Sequence, residues 1–244
     1  MASDISMARS PAATRRDHVE ETRLGIWFLG TDVWAVHVVR RALRDLLRLM
    51  PDRRTHRFPV VLDAGCGWGR ALRFLKHYFH PDQLIGIDID TALVARAKQR
   101  AAAEGLVAEL RVGDVVHLDI ADESIDLIFC HQTFHHLVDQ ERALAEFRRV
   151  LRPGGLLLFA ESTRVYIESW IIRLLFRHPM EVQKSASEYL ALIRSAGFEV
   201  PDTAVSCPYL WWSQPDLGIK ERLRGPQPHS FDEETLLNLV ARRR

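Results

Sequence analysis

Cysteine is scarce: Cys66, Cys130 and Cys207 are an odd set with neither metal-ligand nor CxxC spacing. No leader with an apolar core precedes the first regular pattern, so a reducing, cytoplasmic compartment is expected. Long apolar runs are absent too. No stretch approaches the roughly 20 uninterrupted apolar residues that a membrane-spanning helix needs, although peripheral contact stays open. Charge of one sign is not in excess, since 33 Lys+Arg face 32 Asp+Glu. That balance counts against a nucleic-acid binder driven by phosphate neutralisation, while leaving room for a local basic patch.

What is present is a 244-residue chain whose 47% apolar fraction supports a substantial core. Residues 1–23 carry no apolar period and read as a mobile tail. Residues 24–58 read as an N-terminal covering segment: Val33, Val36, Val39, Leu43, Leu46, Leu47 and Met50 recur at helical spacing. Thr31 or Asp32 caps that helix and Pro51 stops it.

From residue 59 to 244, short apolar runs alternate with helical patterns. The strands read as Val60–Leu62, Leu84–Ile87, Leu106–Val112, Ile125–Phe129 and Leu156–Phe159. Helices read as Arg70–Phe79, Thr91–Ala103 and Gln140–Val150. Strands this apolar, separated by helices, predict an α/β fold: a Rossmann-like, doubly wound, mostly parallel sheet covered on both faces. A helical insertion, about residues 164–184, follows the fifth strand and holds a helix over Val165–Arg177; a second helix, over Ser185–Ala196, comes after it. Residues Glu234–Arg242 fit a helix by composition or a strand by their apolar run.

The informative segment runs from Val60 to Gly69, a buried strand entering a glycine-rich turn at a helix start. Such a turn lets a ligand lie against backbone. The next strand ends at Asp88, 25 positions after Asp63, where a carboxylate can accept both hydroxyls of a ribose. The dinucleotide fingerprint wants its third glycine where Arg70 stands, which disfavours NAD, and the missing Lys-Ser/Thr pair excludes a P-loop.

Five segments in order, DAGCGWG (63–69), GIDID (86–90), GDVVHL (113–118), IDLIFCHQTFHHL (125–137) and RRVLRPGG (148–155), resemble the motifs of class I S-adenosylmethionine-dependent methyltransferases. The resemblance covers about Val60–Glu161. It implies a seven-stranded sheet with an antiparallel last strand at Thr235–Arg242, and S-adenosyl-L-methionine as cofactor with S-adenosyl-L-homocysteine as product. By the same resemblance Asp63, Gly65, Gly67 and Gly69 shape the pocket for the methionine portion, with Cys66 a small residue in the loop between them. Asp88 would hold the ribose, Ile89 would pack on the adenine, and Asp114 with the Val115 backbone would address its amino edge. Cys130 and His131 would line the pocket near the sulfonium.

A sulfonium supplies its own electrophile, so the protein's task is alignment, and no metal is inherently required. Base candidates are His131, His135, His136 and Glu161, although His135 and His136 could simply cover the next helix and Glu161 could be a structural acceptor. His131 and His135 lack an HExxH-like context, so no metal site is expected. The family's base-methylating members carry an Asn-Pro-Pro-Tyr-like motif where this chain has Cys130-His131-Gln132-Thr133-Phe134, which disfavours nucleic acid and favours a small-molecule acceptor. The insertion's Tyr166, Trp170, Leu174 and Phe176 could pack against the sheet or the N-terminal helix, form a lid or rest on a membrane face; these residues and the cluster Tyr209-Leu210-Trp211-Trp212, which could equally be core packing, lean towards an apolar or aromatic one. Trp27, Phe28 and Trp34 are expected to help close the site. Two other readings stay open: a catalytically inactive cofactor-binding scaffold acting through a partner, and methylation of protein or RNA if Arg40, Arg41, Arg44 and Arg48 align towards the pocket mouth.

Overall fold

The computed structural model describes residues 30–50, 56–176, 178–210, 213–214, 217, 219–224 and 230–244. The expected tail, Trp27, Phe28 and the Trp211-Trp212 pair lie outside these residues.

The chain enters through a helical turn at Asp32–Trp34, where the Thr31 hydroxyl accepts the Trp34 amide and so caps the helix. A wider, π-type turn at Ala35–Val39 leads into α1 (Arg40–Leu49). The sheet and its crossovers follow: β1 (Val60–Ala64), α2 (Leu72–Phe79), β2 (Gln83–Asp88), α3 (Thr91–Ala103), β3 (Glu109–Val112), β4 (Ile125–His131), α4 (Gln140–Val150) and β5 (Leu151–Ser162). Next come α5 (Arg164–Ile167), α6 (Trp170–Leu175), α7 (Ala186–Ser195), β6 (Phe198–Glu199), β7 (Val205–Ser206), α8 (Ile219–Arg224) and β8 (Leu236–Arg243).

The strand order is β3-β2-β1-β4-β5-β8-β6, with the two-residue β7 paired to β8. Strands β1 to β5 pair in parallel, while β8 runs antiparallel between β5 and β6. The fold is thus the expected mostly parallel sheet, with β7 as one short strand beyond the seven implied. The C-terminal segment left open between helix and strand is a strand, because all seven residues from Leu156 to Ser162 offer it a continuous antiparallel edge.

Alternation along the strands builds two cores. Leu62, Ile85, Ile128, Leu157 and Leu239 face α4 and α7, and Val61, Leu84, Leu127, Leu158 and Val240 face α1, α2 and α3. Helix α1 buries Leu43, Leu46 and Leu47 in the second core, and Asn238 Nδ2 donates to Asp45 Oδ2 at 2.8 Å to fix it over β8.

Three expectations need correction. Strand β5 begins at Leu151, not Leu156, because residues between them bulge opposite Ile125 and Leu127, letting Arg152–Gly155 pass inside the strand. Strand β3 starts at Glu109 rather than Leu106. The helix expected over Val165–Arg177 is two short ones, since Ser169 takes an extended backbone (φ −60°, ψ 143°) between them. Of the insertion's apolar side chains Ile167 and Ile172 are buried, whereas Trp170 and Leu174 are exposed.

Candidate active site

Strands β2, β1 and β4 are adjacent in the sheet, and their carboxyl ends carry Asp88, Asp63 with the glycine turn, and His131. This is where an open α/β sheet places its ligand. The turn is folded back onto β2, with the Gly65 and Cys66 amides donating to the Ile87 carbonyl at 2.8 and 2.9 Å. Gly65 has φ +78°, and a Cβ there would lie 2.2 Å from the Thr133 side chain, so only glycine lets the β4 loop approach this closely. Gly67 differs: a Cβ on it would meet nothing within 4 Å. Its open side is room for a ligand against bare backbone.

Asp88 Oδ2 accepts the Gly67 amide at 2.8 Å and Oδ1 accepts the Asp90 amide at 3.0 Å. Those bonds hold the carboxylate at the mouth of the turn and leave each oxygen further acceptor capacity for a diol. Asp63 is buried, and its Oδ2 has no hydrogen-bond partner. Burial first, and the negative charge of Asp88 second, push its carboxyl up to about 8. A buried carboxyl oxygen without a partner is matched by a cationic amino group, which a bound S-adenosylmethionine would bring. The residues therefore fit that cofactor.

The other expected contacts are distributed unevenly. Ile89 is exposed and Val115 is buried. Asp114 Oδ1 accepts the Val116 amide at 3.0 Å, a local turn bond that occupies one of its two oxygens. Cys66 is buried and its thiol is pushed up by burial and by Asp63, which keeps it protonated.

Cys130 and His131 do not share a pocket. Adjacent strand residues project to opposite faces, so Cys130 packs in the core under α4 and α7, its thiol donating to Glu161 at 3.8 Å, while His131 faces α1. The His131 ring stacks on Phe129 at 5.6 Å and meets Trp34 edge-on at 6.3 Å. Its Nε2 has no partner, and burial pulls its pKa down to about 4, so the ring is neutral near pH 7. A cavity of about 30 Å³ opens beside it, lined by Val38, Ala42, Ala160, Leu210 and Leu236 among others.

Glu161 is sequestered rather than open to substrate. With 0% exposure, it accepts the amides of Thr133 and Phe134 at 2.8 Å each and lies 2.6 Å from His135 Nδ1. It organises the β4 loop that presses on Gly65. His135 is buried beside it, and the half-buried His136 and His178 stack nearby. Burial, then His135, pulls the pKa of His178 down to about 3.

Sequence reasoning missed several members of the neighbourhood. Arg70 is buried and paired with Asp32 at 2.7 Å, tying the first helical turn to the glycine turn. Its place one residue past the last glycine was the available signal. Gln183 donates to the carbonyls of His135 and Pro179 at 2.8 Å each, clamping the insertion onto the β4 loop, and nothing in its sequence context marked it. Arg40 and Arg44 line a groove with Arg73 between α1 and α2, whereas Arg41 lines the His131 cavity, so the four arginines form no single strip.

The comparisons with known proteins agree with this geometry. Residues 62–159 match the methyltransferase domain family. A Mycolicibacterium smegmatis protein described as an S-adenosylmethionine-dependent methyltransferase is 33% identical over 59% of this chain and 53% of its own length. The Yersinia pestis malonyl-[acyl-carrier protein] O-methyltransferase is 34% identical over 46% of this chain and 40% of its own. The chain thus spans about half, or less, of these curated relatives. Among solved structures, an S-adenosylmethionine-dependent methyltransferase from Mesorhizobium loti superposes with a TM-score of 0.58 at 20% identity, covering 88% of this chain and 99% of that one. The [4+2]-cyclase SpnF superposes at 0.62 and 22% identity over 84% and 81%, so likeness at this level shows the fold alone. Ordered motifs, sheet topology and the match over residues 62–159 together support a class I S-adenosylmethionine-dependent methyltransferase domain in this chain, a family that implies S-adenosyl-L-methionine as cofactor and S-adenosyl-L-homocysteine as product.

Proposed function

We propose that this protein transfers a methyl group from S-adenosyl-L-methionine to a small, apolar or aromatic acceptor that enters beside His131 under the cover of Trp34. The observation that carries the reading is the alignment of three features on adjacent strand ends: the open face of Gly67 beside Asp88, the partnerless Asp63 oxygen, and His131 with its partnerless Nε2. Bound cofactor supplies an electrophilic methyl group, so the chain needs no nucleophile of its own. Asp88 would fix the ribose and Asp63 the amino group, leaving the acceptor's approach to be set by His131, Trp34 and the cavity wall. A neutral His131 is a weak base and a good hydrogen-bonding partner, so its role is to orient the acceptor. The three cysteines stand outside the chemistry. Cys66 and Cys130 are buried, and burial with nearby carboxylates raises their thiols. The family match favours an enzyme over an inactive scaffold.

The test is conversion of S-adenosylmethionine to S-adenosylhomocysteine across an acceptor panel. Turnover with an apolar or aromatic compound that Asp88→Ala lowers at limiting cofactor supports the reading, and cofactor binding without turnover on any acceptor returns the scaffold reading.

A second reading has its own support. Several relatives, including those of Yersinia pestis and Coxiella burnetii, are named as malonyl-[acyl-carrier protein] O-methyltransferases at 34% identity. Here Arg40, Arg44 and Arg73 line one groove of about 460 Å³, a surface suited to an acidic carrier protein. If the acceptor is a carboxylate carried on such a protein, Arg40→Glu with Arg44→Glu will raise KM for the carrier-bound malonyl thioester about tenfold or more and leave the free thioester unchanged.

A further inference from the structure

His135, His136 and His178 converge outside the cofactor site. Their ligand nitrogens all lie within 4.8 Å of one another, and the ring centroids are separated by 4.2, 5.1 and 4.9 Å. Two of the three sit on the turn after β4, and the third comes from the insertion more than forty residues later. That separation hides the cluster from any reading of local spacing.

Two independent features make it more than a chance grouping. The Nδ1 of His135 is held at 2.6 Å by the buried Glu161 carboxylate, which fixes the ring and presents Nε2 as the coordinating atom, the outer-shell arrangement found around metal-bound histidines. Both arms of the cluster are also tied together by two side chains, since Gln183 donates to the carbonyls of His135 and Pro179, and Gln140 donates to those of Phe134 and Val182. His135 is buried while His136 and His178 are half-buried, so the cluster is closed on the protein side and open on the other.

We propose that His135, His136 and His178 form a site for one divalent cation of the zinc class, with Glu161 supporting His135, which staples the insertion to the β4 loop. Three imidazoles with an open fourth position suit zinc, cobalt or nickel and offer no oxygen ligand that would attract magnesium or calcium. Metal–nitrogen bonds of about 2.0–2.1 Å require the rings of His136 and His178 to draw in from their present spacing. Because Thr133 of the same loop bonds the Gly65 carbonyl, a cation here would also steady the wall of the cofactor site.

The test is titration of the metal-free full-length protein with Co²⁺ and then Zn²⁺, read by the visible ligand-field bands of tetrahedral cobalt and by calorimetry. The expected result is one equivalent bound, displaced by zinc, with affinity reduced tenfold or more in His178→Ala and unaffected in His80→Ala, whose ring lies near His77 instead. His136→Ala serves as a second variant should the first not fold, which circular dichroism will report. Absence of stoichiometric binding, or binding indifferent to both cluster substitutions, overturns the site. Neither readout depends on methyl transfer, so failure here leaves the enzymatic reading untouched.

Discussion

Asp63 carries the most testable charge in the molecule. Its folded pKa of about 8 stands well above the ordinary carboxylate value, so the folded state holds a proton that the unfolded chain releases near pH 4. Stability from this group is therefore complete below about pH 4 and declines as pH rises towards 8, with a slope of about 1.4 kcal/mol per pH unit. Asp63→Asn should flatten that decline in urea unfolding measured from pH 5 to pH 8. Cofactor binding gives the complementary readout: if the amino group pairs with ionised Asp63, binding at pH 6.5 releases close to one proton. Calorimetry in buffers of different ionisation heat will show it, and identical apparent enthalpies in every buffer would refute the pairing. Asp88 needs two variants, because it also holds the Gly67 and Asp90 amides. Asp88→Ala should weaken S-adenosylmethionine about tenfold or more, and Asp88→Asn, which keeps an acceptor oxygen, should lose less. Equal losses would mean that the turn, not the ribose contact, was damaged.

At the scale of elements, α1 does two jobs that a truncation would confuse. Its Leu43, Leu46 and Leu47 belong to the core over β5 and β8, so deleting it exposes Leu158 and Val240 and costs stability whatever happens at the site. The helical turn at Asp32–Trp34 that leads into it is the part that reaches the candidate site, through Trp34 on His131 and Asp32 on Arg70. Trp34→Ala should raise acceptor KM severalfold with little change in cofactor affinity, and an unaltered KM across every acceptor would remove the covering role. The same element shows what a sequence can disclose. Helical spacing and the Thr31 cap were legible because they are local, as were α3 and α4, whose ends fall where expected. The early start of β5 and the burial of Arg70 were not, because each is decided by a neighbour distant in the chain, and no local spacing marked the break at Ser169. Within the candidate site, Asp63, Asp88 and the glycine turn were legible from one strand–turn–helix signature. Cys130 and His131 were misplaced as a pair by ignoring strand alternation, and the three-histidine cluster needed the insertion folded back.

At the scale of the whole molecule, the sheet order makes the carboxyl edge a single connected surface. Strands β2, β1 and β4 are neighbours, so Asp88, Asp63 and His131 are held by parallel ladders rather than by loops alone. A ligand bridging those ends joins the two cores that the strands separate, and its binding energy should appear as global stability. At a concentration one hundred times Kd, binding contributes about 2.7 kcal/mol, which for a chain of this size corresponds to a Tm rise of about 5–10 °C. Both S-adenosylmethionine and S-adenosylhomocysteine should produce it, because the contacts assigned to Asp63 and Asp88 are to the amino acid and ribose that the two share. NAD should not, since Arg70 stands where its fingerprint places the third glycine, the one that lets helix pack closely on strand. Thermal melts with each ligand separate the cases: a rise with NAD equal to that with S-adenosylhomocysteine would overturn the assignment of the turn. A rise with S-adenosylhomocysteine that Asp88→Ala removes would tie global stability to the ribose contact at the end of β2.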